Sequence, residues 1–172
     1  DDILTAEYTV DFKKTHSQTL LPMLDEIVKL LELDMDTIDA IAVAGGPGSF
    51  TGLRIGAATA KGLGLALKKP LVHVPTVDAM AYNMWGAEGL ICPIMDAKRS
   101  QVYTGLYHTG NGLEVVMEQQ PMDMMELAGL LNKKGERVIF LGDGVPVYKD
   151  IIREMVTVPY AFAPAQMNRQ RA

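Results

Sequence analysis

Several things are scarce in this sequence, and each shortage removes a class of protein. One cysteine, Cys92, in 172 residues cannot close an internal disulfide, so a small bridge-stapled secreted scaffold is excluded and a reducing compartment is expected. The three histidines, His16, His73 and His108, lie in separate segments, with no cysteine or second histidine at ligand spacing. They have no framework for a zinc site and read as structural residues. Long hydrophobic runs are missing as well. Arg54, Lys61 and Lys68 interrupt the best candidate well short of the ~18 apolar residues needed to cross a bilayer. The opening DDILTAEYTV has neither the basic nor the apolar stretch of a secretory signal, so a cytoplasmic protein off the membrane is expected. Positive charge is not in excess. The net charge of −5 argues against a grip on nucleic acid by this chain unaided, because that grip is mainly phosphate neutralisation.

What is present is a globular composition, 48% hydrophobic and 22% charged, sufficient for a buried core in one domain or two small ones. Residues 3–12 are rich in β-formers and predict a strand. Over 18–32, Leu20, Leu24, Ile27 and Leu31 recur at helical spacing, with Ser17 or Thr15 available as a cap and Pro22 near the start. The apolar run at 38–44 predicts a strand buried on both faces. A glycine turn and a second helix follow, stopped by Lys69-Pro70; then come a strand at 71–74 and a third helix capped by Thr76. Beyond Gly89 the pattern becomes three strands (89–96, 100–108, 113–119), a helix (122–134), a strand (138–143) and a helix (145–155). The last two of the three strands are joined through Thr109-Gly-Asn-Gly112, a hairpin turn. Residues 167–172 read as the start of another helix. The order β-α-β-α-β-α followed by β-β-β-α-β-α suggests two related α/β halves, the first without its opening hairpin; a single α/β domain is the alternative.

The stretch AVAGGPGSFTGLRIGAATAKGLGLALKKP, residues 42–70, carries the most information. It lacks the Gly-Lys-Ser/Thr of a phosphate loop, and Thr51 stands where a dinucleotide fingerprint needs its third glycine. The bare N–H groups of 48–51 could still meet an anion, at Gly48 and Ser49; the plainer reading is a tight turn. Within the helix, Gly52, Gly56, Ala60 and Gly64 form a ridge without side chains, although each glycine costs about 1 kcal/mol against alanine. Close approach of another backbone can offset that cost, from this chain's own sheet or from a second subunit. The apolar flanks predict a helix buried on most sides, with Arg54, Lys61 and Lys68 on one thin stripe, and a subunit contact beside the helix at 17–32.

Other residues carry weaker signals. Asp34, Asp36 and Asp39 lack the glycine and closing glutamate of a calcium loop and read as caps or solvated side chains. Ser17 and Ser49 have no nucleophile elbow around them. Met122, Met124 and Met125 read as packing residues on a helix.

The segments THSQTLLPML (15–24), GGPGSFTGLRIGAATAKGLGLALKKP (45–70) and DAKRSQVY (96–103) resemble the TsaB (YeaZ) family, bacterial proteins required to make threonylcarbamoyladenosine in tRNA. The likeness runs from about Asp11 to Arg171. It implies an α/β fold of two ribonuclease-H-like halves, as in actin, hexokinase and the chaperone ATPases, divided here as 1–88 and 89–172. It also implies that the opening strands of the first half and the end of the second lie outside this sequence. By the same resemblance the chain is a non-catalytic subunit that pairs with a TsaD-type threonylcarbamoyltransferase through His16, Leu20, Leu24, Ile27, Gly52, Leu53, Gly56, Ala60, Leu63 and Gly64. A TsaE-type ATPase is the implied companion, tRNA is reached only through the complex, and a homodimer can use the same face. No cofactor is implied on this chain alone, and ATP or ADP only in the complex. Where TsaD relatives carry a metal-binding His-x-x-x-His, this sequence has Thr76 and Met80, so no metal is implied. Lys98 and Arg99 fall near the nucleotide cleft of the actin-like fold, as phosphate contacts or as an ordinary surface turn. The rivals are an ATPase or kinase of that fold and a glycoprotease-like metallopeptidase.

Overall fold

A computed structural model of the chain describes residues 3–10 and 16–169. It contains two compact units, one up to Val74 and one from Pro75 onward, each described by itself.

The first unit is built from helix α1 (His16–Leu30), strand β1 (Ile41–Ala44), helix α2 (Phe50–Leu67) and strand β2 (Leu71–Val74). The apolar stripe of α1 holds: Leu20, Leu24, Ile27 and Leu31 are half-buried. The described helix begins at His16, which places Ser17 inside it, and Thr15 lies outside the described residues. Asp34 caps the short turn Met35–Thr37, accepting from the Asp36 amide at 3.0 Å, so the aspartates here shape backbone. β1 and β2 pair in parallel, Ile41 opposite Leu71 and Val43 opposite His73.

Two expectations for this unit need correcting. Residues 3–10 form no strand and are exposed throughout, and 11–12 lie outside the described residues. β-forming side chains hold a strand only where a neighbour supplies the hydrogen-bond ladder. β1 is not buried on both faces either: Ile41 and Val43 are half-buried while Ala42 and Ala44 are exposed. One helix, α2, packs on this two-stranded sheet.

The second unit holds the deep core. Its strands β3 (Leu90–Lys98), β4 (Gln101–His108), β5 (Glu114–Asp123), β6 (Val138–Leu141) and β7 (Tyr160–Phe162) are ordered β5-β4-β3-β6-β7. β4 is antiparallel to both its neighbours, and β6 and β7 run parallel to β3. Numbered within the unit, that order is 3-2-1-4-5, the ribonuclease-H-like topology. Alternation along the central strand divides the core in two. Leu90, Cys92 and Ile94 meet α4 (Met124–Lys134) and α5 (Val145–Met155) on one face. Ile91 and Met95 meet α3 (Thr76–Tyr82) on the other. The sequence reading missed β7, because three residues leave almost no periodic signal.

Smaller corrections follow from local chemistry. Thr76 does not cap α3; Pro75 occupies the cap, and the Thr76 hydroxyl is buried with no hydrogen-bond partner among the described residues. Met122 belongs to β5, and of the helical pair Met124 is buried while Met125 is 59% exposed. Near the end, Ala165–Met167 form a single 3-10 turn, and 170–172 lie outside the described residues. Among the described residues no helix is long and apolar enough to cross a membrane.

Candidate functional site

The glycine turn and the helix after it make the first candidate. Gly46 sits at φ +106°, a backbone region closed to most side chains. Gly45 is bare for another reason: a Cβ there would collide with the His73 ring, which packs across it. Ser49 caps α2, its hydroxyl accepting from the Gly52 amide at 3.3 Å. The helix ends at Lys68 in the left-handed conformation, with the Lys68 and Lys69 amides both donating to the Gly64 carbonyl. Lys69 Nζ then reaches the Asp36 carbonyl at 2.8 Å, tying the helix end to the loop after α1.

The ridge of small residues faces this chain's own sheet. A Cβ on Gly64 would meet Leu71 Cδ2 at 2.8 Å and the Lys69 carbonyl at 3.2 Å. A Cβ on Gly56 would rest 3.8 Å from Val43 Cγ2, and Ala60 is only 5% exposed. The expectation that the ridge is left over for a second protein is thereby corrected: close approach of α2 to β1 and β2 uses it. The helix is also less buried than its apolar flanks predict. Only Ala60 and Gly64 are buried, while Phe50 is 69% and Leu65 83% exposed. The open face runs through Arg54, Ala58, Lys61, Gly62 and Leu65, so the charged stripe is at the surface as expected.

α1 packs beside α2, which brings together the two helices expected to meet a partner. Leu20, Leu24, Ile27, Gly52, Leu53, Gly56 and Leu63 are half-buried, and the His16 side chain lies outside what the structure describes. The large apolar side chains that stay outside are Leu21 and Leu30 on α1 and Phe50 and Leu65 on α2. Sequence reasoning passed over these, because it followed the stripe that turned out to face inward. Beside α2 a groove of about 430 Å³ is lined by Val43, Leu53, Arg54, Lys61, Leu71 and His73, among others. Arg54 and Lys61 were legible as a pair seven residues apart, yet spacing alone could not set a hollow beneath them.

The second candidate, Lys98 and Arg99, lies in the other unit, in the turn between β3 and β4. Lys98, Arg99 and Ser100 all have positive φ, an uncommon run for residues with side chains. Asp96 holds the turn. Its carboxylate accepts from the Lys98 amide at 2.9 Å, from the Lys98 ammonium, and from the Tyr148 hydroxyl at 3.0 Å. The Lys98 ammonium, helped by that amide, holds the Asp96 carboxyl below the usual carboxylate range; burial and Asp96 push the Tyr148 phenol up. Lys98 is therefore already matched by a carboxylate, and Ser49 is already used as a cap.

Several other polar and thiol groups are held by packing and hydrogen bonds within the second unit. Thr76 and Met80 are 2% and 1% exposed, in α3. Asp78 on the same helix accepts from the Tyr107 hydroxyl at 2.7 Å; burial, then Asp78, push that phenol up. Cys92 is buried against Thr104, and burial pushes its thiol up to about 12. Among the described residues no group of three His, Cys, Asp or Glu is placed to hold a metal.

Comparison with known proteins places this geometry. The family model described as TsaD, tRNA N6-adenosine threonylcarbamoyltransferase, matches residues 10–171. The tRNA threonylcarbamoyladenosine biosynthesis protein TsaB of Bacillus subtilis is 37% identical over 157 residues, 91% of this chain and 69% of that protein. The Escherichia coli protein of the same name is 33% identical over 128 residues, 67% of this chain and 55% of that protein. Among solved structures, YeaZ from Pseudomonas aeruginosa superposes with a TM-score of 0.72 at 27% identity, covering 90% of this chain and 71% of that one. The glycine turn, the close-packed helix it opens and the ribonuclease-H-like second unit agree with these matches, and the chain belongs to the TsaB (YeaZ) family.

Proposed function

We propose that the chain acts in tRNA threonylcarbamoyladenosine biosynthesis as a non-catalytic subunit, pairing through α1 and α2 with a transferase of the TsaD type. One observation carries the reading. Leu21, Leu30, Phe50 and Leu65 are 54%, 78%, 69% and 83% exposed on two adjacent helices of one unit. Large apolar side chains left in water on neighbouring helices favour cover by another chain. The absence of catalysis by this chain is supported by Thr76 and Met80, since neither side chain replaces an imidazole on a metal. A TsaE-type ATPase and tRNA would join through the complex, and a homodimer would use the same face when the partner is absent.

The test is titration calorimetry of the protein against its cognate TsaD-type partner. Leu30→Glu with Leu65→Glu places two charges on exposed positions, which leaves folding intact. Affinity should fall about 100-fold or more, the range of two lost hot-spot side chains. No heat of binding with the unmodified protein, or undiminished affinity in the variant, refutes the pairing face.

A further inference from the structure

The groove beside α2 has a lining of one charge type. Val43, Leu53 and Leu71 give it an apolar surface, Arg54, Lys61 and His73 supply the basic groups, and no carboxylate lines it. The Arg54 guanidinium lies 3.9 Å over the Phe50 ring, which holds its charge at the wall of the groove. Among the described residues neither Arg54 nor Lys61 has an ion-pair partner. In the same unit Asp25 pairs with Lys29, and Asp34 caps its turn.

Apolar surface beneath two unneutralised cations complements an apolar side chain followed by a carboxylate. We propose that this groove seats an acidic segment of the transferase-type partner, an Asp or Glu flanked by large apolar residues. The inference rests on the pairing reading above and names what the partner must present. Phe50 joins the two surfaces, since it lines the groove and belongs to the exposed apolar face. Leu71, which lines the groove and is 41% exposed, adds apolar surface that a small anion alone would leave uncovered. The carboxylate fixes the register of the contact, while the helix faces supply its apolar area.

The experiment is calorimetry of the full chain against the cognate TsaD-type protein at low and high salt, with Arg54→Glu plus Lys61→Glu as the first variant. Ala57→Leu, which fills the groove without changing charge, is the second, and thermal unfolding monitors the fold of both. The charge-reversed protein should bind about tenfold or more weakly and lose the salt dependence of the unmodified protein. The filled groove should weaken binding at both salt concentrations. If the unmodified protein binds and both variants bind equally well, the groove is not a contact, and the pairing reading stands without it. If the unmodified protein does not bind, both readings fall together. If the reversal abolishes self-association in light scattering but spares partner binding, the occupant is a second copy and the proposal is wrong.

Discussion

Two glycines of α2, two residues apart and on nearly opposite sides of the helix, show how much one hydrogen atom can decide. Gly62 has nothing within 4 Å of the place a Cβ would take, whereas Gly64 would drive one into Leu71 and the Lys69 carbonyl. Gly62→Ala should therefore stabilise the fold by up to about 1 kcal/mol, the helix-propensity difference, whereas Gly64→Ala should destabilise it by about 1–3 kcal/mol through overpacking. Urea unfolding of both variants checks the pair, and equal effects would remove the packing explanation. Asp96 gives a second prediction. Its carboxyl is held below the ordinary range, so its contribution is present above the unfolded carboxylate pKa and is lost as pH falls through the lower folded value. Asp96→Asn should cost roughly 1–3 kcal/mol at neutral pH, and its stability should converge on that of the unmodified protein in acid. Melting temperatures across the acid range supply the measurement, and parallel curves would dismiss the link.

At the scale of the element, α2 serves two neighbours with two faces. The ridge of Gly56, Ala60 and Gly64 belongs to the sheet, and the line from Arg54 to Leu65 belongs to solvent or a partner. Bulky substitutions at Gly56 or Ala60 therefore report on folding, and docking is read at Leu30 and Leu65 instead. Periodicity marked α2 as packed on something, but a repeat of four residues is silent about whose backbone it meets. The opposite holds for α4. The apolar pattern starts this helix at 122, with Asp123 inside it; the structure ends β5 at Asp123, which makes it the cap, accepting from the Met125 amide at 2.8 Å.

In the whole molecule the two units differ in what they bury. The second sets Tyr107, Phe140, Leu131, Ile152 and others wholly out of water around a five-stranded sheet. The first buries only Gly46, Ala60 and Gly64 among its described residues. A fragment from Pro75 onward should thus unfold cooperatively alone, while one ending at Val74 should give no sharp transition. Calorimetry of each fragment decides this. A broad, gradual transition in the later fragment would mean that its core depends on the earlier residues.

The sequence by itself determined the element order from α1 to α5, the hairpin at 109–112 and the family, because each rests on local signals: apolar period, turn residues and a distinctive glycine motif. Tertiary structure alone decided that the α2 ridge faces β1 and β2, that residues 3–10 form no strand, and that Lys98 is matched by Asp96. It also decided that Arg54, Lys61 and His73 share a groove. The physical reason is the same in each case. A pattern fixes which face of a segment is apolar or bare, but the occupant of that face comes from residues distant in the chain, and only the packed fold brings them there.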